Sequence, residues 1–395
     1  MAEGSGSAKP PFDMVVRDRI ETGGQPLKAF FLPNGRELLV LNTRGYVSKI
    51  DLETRQVVAK SRHMIRGMLQ AQLTPDGRHL MAWPSLGRKV YVVETGTLNL
   101  KRPIRCGRNH GGSIVSPDGK YALISAVQSR RVCIVDLETM DVVNRIRFPK
   151  AIAYLALNKE GTLASASAGV FRYGSSNSFP RGSHIFLFDP RPGHNPRVLE
   201  AGSFVSGRHP RGAHFTDTGH WVITANRLSG DVSFTDVRKG MVTDVIPTGR
   251  GAEAVVRVAD GERYAIINRA DTHISMIKET ERGPVHDGDI YLSGAPYDLV
   301  SIPGGRFALV TILGTQIQMP ATVWHNGRSF PMTFVDGRRV THAKYKHGLS
   351  LIDLKTMQEV DFMKAGKGSM NVAIHPSGSM AAVVCATKGS VDLVY

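Results

Sequence analysis

Two histidines in glycine- and arginine-rich segments are the side chains best suited to bind a metal or to move a proton. His110 lies in the segment GRNHGG and His209 in GRHPRG, and each precedes a stretch typical of a strand. An imidazole can ligate a metal such as haem iron, and near neutral pH it can also donate a proton. One histidine would then be the ligand and the other the proton donor. The alternative is a structural role, since the chain contains 14 histidines.

Basic residues lie in the short links that lead into several of these strands. A guanidinium presents a planar fork of donors that matches carboxylates and phosphates. If the links converge in the fold, they would focus positive potential and favour a ligand with several acidic groups. The alternative is that each cation only caps neighbouring carbonyls. The candidate ligand-binding arginines are Arg66, Arg108, Arg211 and Arg250, and the further basic link residues are Lys150, Arg208 and Lys367.

The overall charge also points to an anionic partner. Fifty basic residues against 34 acidic ones give a net charge of +16 and a pI near 9.9. This favours an acidic protein or a polyanionic small ligand, although a basic surface can also serve solubility alone. Nucleic acid is disfavoured, because aromatic residues are only 7% of the chain and do not alternate with the basic links.

A recurring glycine turn between two apolar segments shows what must position these side chains. Four of the seven intervals between successive turn glycines are 42 residues long, which is typical of a β-propeller blade. Glycine suits this turn because the chain must reach positive φ to reverse. The turns are PNG, PDG, PDG, KEG, DTG, ADG, PGG and PSG, with glycines at 35, 77, 119, 161, 219, 261, 305 and 378.

A second motif follows each turn, a strand that ends in an acidic residue, as in YVSKIDLET and GLSLIDLKT, and a fourth strand comes after it. The last unit supplies only three strands, and residues 14–23 match the missing fourth. We therefore predict an all-β fold: an eight-bladed propeller with four-stranded blades, closed by the N-terminal strand. Seven blades with one irregular unit is the alternative. The domain would span residues 14–395 after a flexible leader, residues 1–13.

Two units are longer than the period, and both insertions fall between the second and third strands. They cover about residues 168–184 and 314–345, and the second contains hairpin signals at Asn326-Gly327 and Asp336-Gly337. In a propeller this connection opens on the same face as the links between blades. We predict that this face, with its insertions and basic links, is the binding face.

Several classes of function are excluded by what the sequence lacks. It has no HExxH, GxSxG, Walker or GxGxxG motif, which argues against a conventional hydrolase, NTPase or nicotinamide enzyme. Its three cysteines, Cys106, Cys133 and Cys385, have no CxxC or CxxCH spacing, so we expect no disulfide scaffold, cysteine zinc site or attached c-type haem, and interpret them as wall residues. No apolar run reaches the length of a transmembrane helix.

The turns and third strands, such as SPDGKYALIS with RVCIVDLETMDVV, make the chain resemble the YVTN-type β-propeller repeat proteins over nearly its whole length. With eight blades it also resembles the d1-haem domain of dissimilatory nitrite reductases and related d1-haem biosynthesis proteins. That resemblance implies His110 or His209 as an axial ligand and Arg66, Arg108, Arg211 and Arg250 as partners of the macrocycle's carboxylates. It also implies export to the periplasm; without it, the cytoplasm is expected.

The main hypothesis is a non-catalytic scaffold whose basic, arginine-lined face and central funnel bind an acidic protein or a polyanionic ligand. The alternative is a d1-like haem or tetrapyrrole-binding protein linked to nitrite reductase-type chemistry or cofactor assembly. If the chain is an enzyme, it is expected to be a haem-dependent oxidoreductase. The sequence assigns no catalytic residue and no metal site.

Overall fold

The computed structural model consists of antiparallel β-sheets that follow one another along the chain. It describes residues 12–64, 67–84, 87–168, 183–194, 198–204, 207, 209–258, 263–313, 334–335, 338–339 and 347–395. Within these ranges the only helical segment is one 3-10 turn (Val127–Ser129), so this part of the chain contains no bilayer-spanning helix.

Strand β1 (Val16–Glu21) comes first and belongs to the last of the eight blades; blades one to seven and the remaining strands of blade eight follow it in order. Blade one contains β2 (Pro26–Phe31), β3 (Glu37–Asn42), β4 (Tyr46–Asp51) and β5 (Gln56–Lys60), blade two β6 (Met68–Leu73), β7 (His79–Pro84) and β8 (Tyr91–Glu94), and blade three β9 (His110–Val115), β10 (Tyr121–Ala126), β11 (Arg131–Asp136) and β12 (Val142–Arg147). Blade four contains β13 (Ile152–Leu157), β14 (Ala164–Ala168), β15 (Ser183–Phe188) and β16 (Leu199–Phe204).

The remaining blades repeat this order, with each first strand at one edge of its sheet. Blade five contains β17 (Pro210–Phe215), β18 (Trp221–Asn226), β19 (Asp231–Asp236) and β20 (Met241–Pro247), and blade six β21 (Ala252–Arg257), β22 (Arg263–Asn268), β23 (His273–Thr280) and β24 (Gly283–Tyr291). Blade seven contains β25 (Ala295–Ser301) and β26 (Phe307–Leu313), then the short pair β27 (Phe334–Val335) and β28 (Arg338–Arg339), then β29 (Gly348–Asp353) and β30 (Gln358–Lys364). Blade eight contains β31 (Ser369–Ile374), β32 (Ala381–Cys385), β33 (Ser390–Val394) and the returning β1.

The prediction of an eight-bladed propeller is confirmed, and the seven-blade alternative is wrong. In blade two the place of the fourth strand is taken by the segment after β8, which bridges Val93 to Leu100 and Val90 to Ile104. The predicted glycine turns are present, and Gly35, Gly119 and Gly378 all have φ between 66° and 76°. Only the turn glycine at 261 lies outside the described residues.

Closure of the ring by the N-terminal strand is also confirmed. Strand β1 pairs antiparallel with β33, and Arg19 lies opposite Asp392. The guanidinium of Arg19 binds both carboxylate oxygens of Asp392, at 2.7 Å and 2.8 Å. The Asp392 side chain is fully buried, so this pair fixes the register in which the two ends of the chain meet. Of the predicted leader, the described residues Phe12 and Asp13 adjoin β1, and Phe12 packs into the core.

Apolar side chains from facing blades form the core. Phe148 of blade three, for example, packs edge-on against Phe186 and Phe188 of blade four. Each blade is thus sandwiched between two others, which keeps the first strands in a rigid ring around the axis.

The interpretation of all three cysteines as wall residues is corrected for two of them. Cys106, on the link before blade three, is bonded to Cys133 in the middle of β11, and both are buried. Sequence spacing did not reveal this pair because a bridge across 27 residues has no fixed motif. Cys385 is a free, buried residue of blade eight, as expected of a wall position.

Candidate functional site

The first strands begin, and the second strands end, at the same end of the ring, which we call the link face. Pro210, the first residue of β17, pairs with Asn226, the last of β18, and Ala252 pairs with Asn268 in the same way. Side chains at the start of each first strand therefore meet side chains that follow each second strand. A cluster of four charged side chains lies there, in blades five and six.

The cluster consists of three arginines around one glutamate, and we call these arginines the triad. Arg211 Nε lies 3.4 Å from Glu253 Oε1, Arg227 Nε lies 3.4 Å from Oε2, and Arg269 Nη1 lies 3.4 Å from Oε1. The four side chains are between 12% and 29% exposed. The cluster is thus recessed, and its charges interact more strongly than at an open surface.

The repeat itself positions two members of the triad. Arg227 and Arg269 directly follow the second strands of adjacent blades, and their backbone N–H groups donate to the carbonyls of His209 and Gly251, respectively. The preceding residues, Asn226 and Asn268, are completely buried. Asn226 donates to Ser233 and Asn268 to Ser275, so each arginine starts from a fixed backbone position.

Two tyrosines from the flanking first strands hold the guanidiniums of the triad. The Arg269 guanidinium lies 3.8 Å from the centre of the Tyr297 ring, and its Nε donates to the Tyr297 carbonyl at 3.0 Å. The Arg211 guanidinium donates to the Tyr154 hydroxyl. Stacking and hydrogen bonding leave these planar groups few other orientations, which preorganises them for an anion.

A second polar group from blades one, seven and eight adjoins the triad. Asn371 donates to Asp298 at 2.7 Å and accepts the backbone N–H of Ala29 at 2.9 Å. Lys28 lies near this carboxylate; burial lowers the pKa of Lys28, an effect that Asp298 opposes and Arg269 reinforces. Polar residues therefore continue around the inner wall of the ring.

The electrostatics of Glu253 show that the triad is a strongly positive environment. Burial alone would raise the pKa of Glu253, but the three guanidiniums lower it to about 2. Burial lowers the pKa of Arg227, whereas for Arg211 the opposing attraction of Glu253 and Tyr154 leaves the pKa raised. At neutral pH three positive charges therefore face one negative charge.

The two predicted histidines occupy different surroundings. His209 lies beside the triad, and burial together with Arg211 and Arg227 lowers its pKa to about 3. Its φ of 64° is in the left-handed region, where non-glycine residues are uncommon. His110 is 3% exposed, and burial lowers its pKa to about 4. Both imidazoles are thus neutral near pH 7, the form in which the ring can ligate a metal.

The predicted arginines are divided between the triad and the rim of the link face. Arg211 is a triad member, whereas Arg250 is 70% exposed and lies 3.9 Å from Asp271. Arg108 is exposed, and its backbone N–H donates to Ser129. Arg66 and Arg208 lie outside the described residues. The exposed link residues Arg108, Lys150 and Lys367 have no ion-pair partner within the described part of the chain.

Sequence reasoning missed Arg227, Arg269 and Glu253, although the repeat contains a signal for two of them. The dipeptide Asn-Arg occurs at 226–227 and again at 268–269, one blade period later. A residue that follows the second strand faces the same end of the ring as the links. Comparison of these positions between units would have added both arginines to the site.

Both insertions start from the link face. Strand β14 ends at Ala168, which pairs with Ile152 at the start of β13, and β26 ends at Leu313, which pairs with Ala295 at the start of β25. The predicted insertions beyond these points lie mostly outside the described residues, including the expected hairpin at Asn326-Gly327. Strands β27 and β28 pair on either side of positions 336–337.

No protein family matches the sequence, and no curated protein matches it. Among solved structures, the chain is similar to hydrazine synthase of Kuenenia stuttgartiensis, with a TM-score of 0.52 and 16% identity over 99% of this chain and 98% of that one. It is also similar to the β-propeller domain of Myceliophteria thermophila Cps50 (Swd1), with a TM-score of 0.55 and 13% identity over 96% and 98%.

At these identities the similarity shows the β-propeller fold alone. It does not bear on the resemblance to the d1-haem domain, which stays a prediction. Within the described residues no group of three or more histidine, cysteine or acidic side chains has the geometry of a metal site.

Proposed function

We propose that this protein is a non-catalytic β-propeller scaffold that binds an acidic protein or a polyanionic ligand at its link face. The observation that carries the proposal is the triad, in which three recessed guanidiniums face a single carboxylate. Arg108, Lys150 and Lys367 extend the positive charge to the exposed rim. A rim of unpaired cations above a recessed positive cluster attracts anions and then binds them through charge-assisted hydrogen bonds.

The test is binding of fluorescent poly-L-glutamate at low and moderate salt. In the triple variant Arg108→Gln/Lys150→Gln/Lys367→Gln we expect affinity to fall by about tenfold or more at low salt, with a weaker dependence on salt, because rim charges act mainly through screened long-range attraction.

The matched control removes the same charge from the opposite end of the ring. Arg36 and Lys120 follow the turns between first and second strands, and Arg238 lies between a third and a fourth strand, so all three are exposed away from the link face. Arg36→Gln/Lys120→Gln/Arg238→Gln should bind within about twofold of the parent. If both triple variants lose the same affinity for poly-L-glutamate, the link face is not a dedicated binding face.

A tetrapyrrole is the second candidate ligand, and His110 is the observation that favours it. Its ring is buried and neutral, and neither ring nitrogen has a hydrogen-bond partner among the described residues. His110 or His209 would then ligate the iron, and Arg108 and Arg250 would pair with the carboxylates. The sequence predicts the same role for Arg66, which lies outside the described residues. Arg211 is less available, because it is engaged by Glu253 and Tyr154. When bound, the haem would supply redox chemistry.

Optical titration with tetrapyrroles, including d1-type haem, tests this candidate. A visible band that changes in His110→Ala or His209→Ala would support it, and a spectrum equal to that of free ligand would reject it. The Cys106–Cys133 bond fits export to an oxidising compartment such as the periplasm. The same bond should be present in protein purified from that compartment, and free thiols at both positions would contradict the assignment.

A further inference from the structure

The triad contains donors that its own contacts do not use. Arg227 contacts Glu253 through Nε, and within the described residues its terminal nitrogens make no hydrogen bond. Arg269 uses Nε for Tyr297 and Nη1 for Glu253, which leaves Nη2 without a hydrogen bond in the same part of the structure. The two side chains are 16% and 29% exposed, so a ligand in the channel can reach these nitrogens.

The geometry of the repeat brings these donors together. Arg227 and Arg269 occupy equivalent positions in adjacent blades, and both point to Glu253 at the start of the first strand of blade six. Two planar forks side by side suit a group with several acceptor oxygens. A phosphoryl group presents three such oxygens.

The net charge of the cluster also favours a phosphoryl group. The three guanidiniums of the triad carry three positive charges and Glu253 carries one negative charge, so the cluster has a net charge of +2. The adjoining pair Lys28 and Asp298 adds one charge of each sign when both are ionised. A carboxylate brings one negative charge, whereas a phosphate monoester brings about 1.5 to 2 negative charges at pH 7. In a recessed site a dianion is therefore the better match.

We propose that the triad binds the dianionic phosphoryl group of a small phosphate ester. Tyr154, Arg211, Glu253 and Tyr297 come from the first strands of four consecutive blades, so the site lies on the inner wall of the ring. We therefore expect a small ligand there. This inference rests on the proposed function, because the charged rim must first attract the anion. It adds the ligand class and the residues that recognise it.

Calorimetric titration of the full chain at about 50 mM salt tests the proposal with three probes: glycerol 3-phosphate, inorganic phosphate and acetate. We expect both phosphates to bind at least about tenfold more tightly than acetate. A phosphate ester that binds more tightly than inorganic phosphate would identify an esterified ligand, and the reverse order would identify the free ion. Phosphate binding no tighter than acetate binding would overturn the proposal.

Variants of the triad locate the site. Arg227→Gln should weaken phosphate binding by about tenfold, and Arg227→Lys should weaken it less, since the charge remains while the fork is lost. Glu253→Gln should strengthen binding, because it removes the negative charge that competes with the ligand. Arg238→Gln, which removes one exposed positive charge at the opposite end of the ring, is the control and should bind within about twofold of the parent. Thermal melting shows that each variant is folded.

The pH profile gives an independent readout. The second ionisation of a phosphate monoester has a pKa near 6, so affinity should fall between about pH 7.5 and pH 5.5. Affinity that is unchanged over this range, or equal in the parent and Arg227→Gln, would refute the site. If the parent binds poly-L-glutamate but not phosphate, this inference fails while the proposed function stands. If the rim variants bind poly-L-glutamate normally, the proposed function fails instead.

Discussion

Replacement of Glu253 by glutamine would show how far the triad depends on its single counter-charge. In the folded protein the pKa of Glu253 is lowered from its ordinary value of 4.5 to about 2. At about 1.36 kcal/mol per pH unit, this corresponds to about 3 kcal/mol of stability from the ionised carboxylate. Glu253→Gln should therefore be less stable than the parent by about 3 kcal/mol at pH 7, because three guanidiniums lose their partner.

The sign of the pH dependence follows from the direction of the shift. Because the folded-state pKa is the lower one, the contribution is complete above the unfolded pKa near 4.5 and disappears as the pH falls through about 2. By pH 3.5 about 1 kcal/mol of it should be lost from the parent. Because glutamine does not titrate, the difference in free energy of unfolding between the parent and Glu253→Gln should become smaller by that amount.

Urea unfolding of both proteins at pH 7 and pH 3.5, followed by circular dichroism, measures these differences. Glu138→Gln is the control, since Glu138 is exposed and has no ion pair within the described ranges, and it should stay within about 0.5 kcal/mol of the parent at both pH values. If the parent and Glu253→Gln have the same free energy of unfolding at pH 7, or if their difference is as large at pH 3.5 as at pH 7, Glu253 is not the counter-charge of the triad.

Three further predictions concern residues outside the triad. Arg19→Gln should lower the free energy of unfolding by about 3 kcal/mol, because it removes the counter-charge of the buried Asp392 while the backbone N–H of Gly366 stays bound to that carboxylate. Arg17→Gln, also exposed on β1 but paired with the exposed Asp13, should change the free energy of unfolding in urea by less than about 1 kcal/mol. Similar values for both variants would contradict the closure role of Arg19. Cys106→Ala/Cys133→Ala should lower the free energy of unfolding by about 3.5 kcal/mol, and a parent whose melting is insensitive to reductant would argue against the bond. His110→Leu should leave the free energy of unfolding unchanged or raise it by about 1 kcal/mol, because the imidazole makes no hydrogen bond within the described residues. A decrease of more than about 2 kcal/mol, measured by calorimetric melting, would show that the imidazole does have a hydrogen-bond partner.

The blade count and ring closure could be predicted because they depend on local chemistry that repeats. The turn glycines have positive φ wherever the structure describes them, and the acid that ends the third strand caps the next turn, as Asp136 does by accepting from the backbone of Thr139. The alternation of residues in β1 was sufficient to assign it to blade eight. The pairing of Cys106 with Cys133 was missed because it depends on the three-dimensional position of a link, which no spacing rule encodes.

Part of the candidate site could be predicted, because the positions of some of its residues also follow from the repeat. The link rule found Arg211 and His209, whose positions follow from where each first strand begins. Glu253 was missed because a charge-based search for anion binding ignores acids, yet this acid orients the arginines. The partners of Arg269 depend on how blades six and seven pack, which is a tertiary property.

The position of a bound polyanion shows whether the link face is the binding face. Amide hydrogen exchange of the parent with and without poly-L-glutamate compares the two ends of the ring. We expect slower exchange with ligand in the links at residues 105–111 and 364–370, and no change in the opposite turns at residues 33–36 and 117–120. Protection of the opposite turns, or none at the links under conditions where the polyanion is bound, would contradict it.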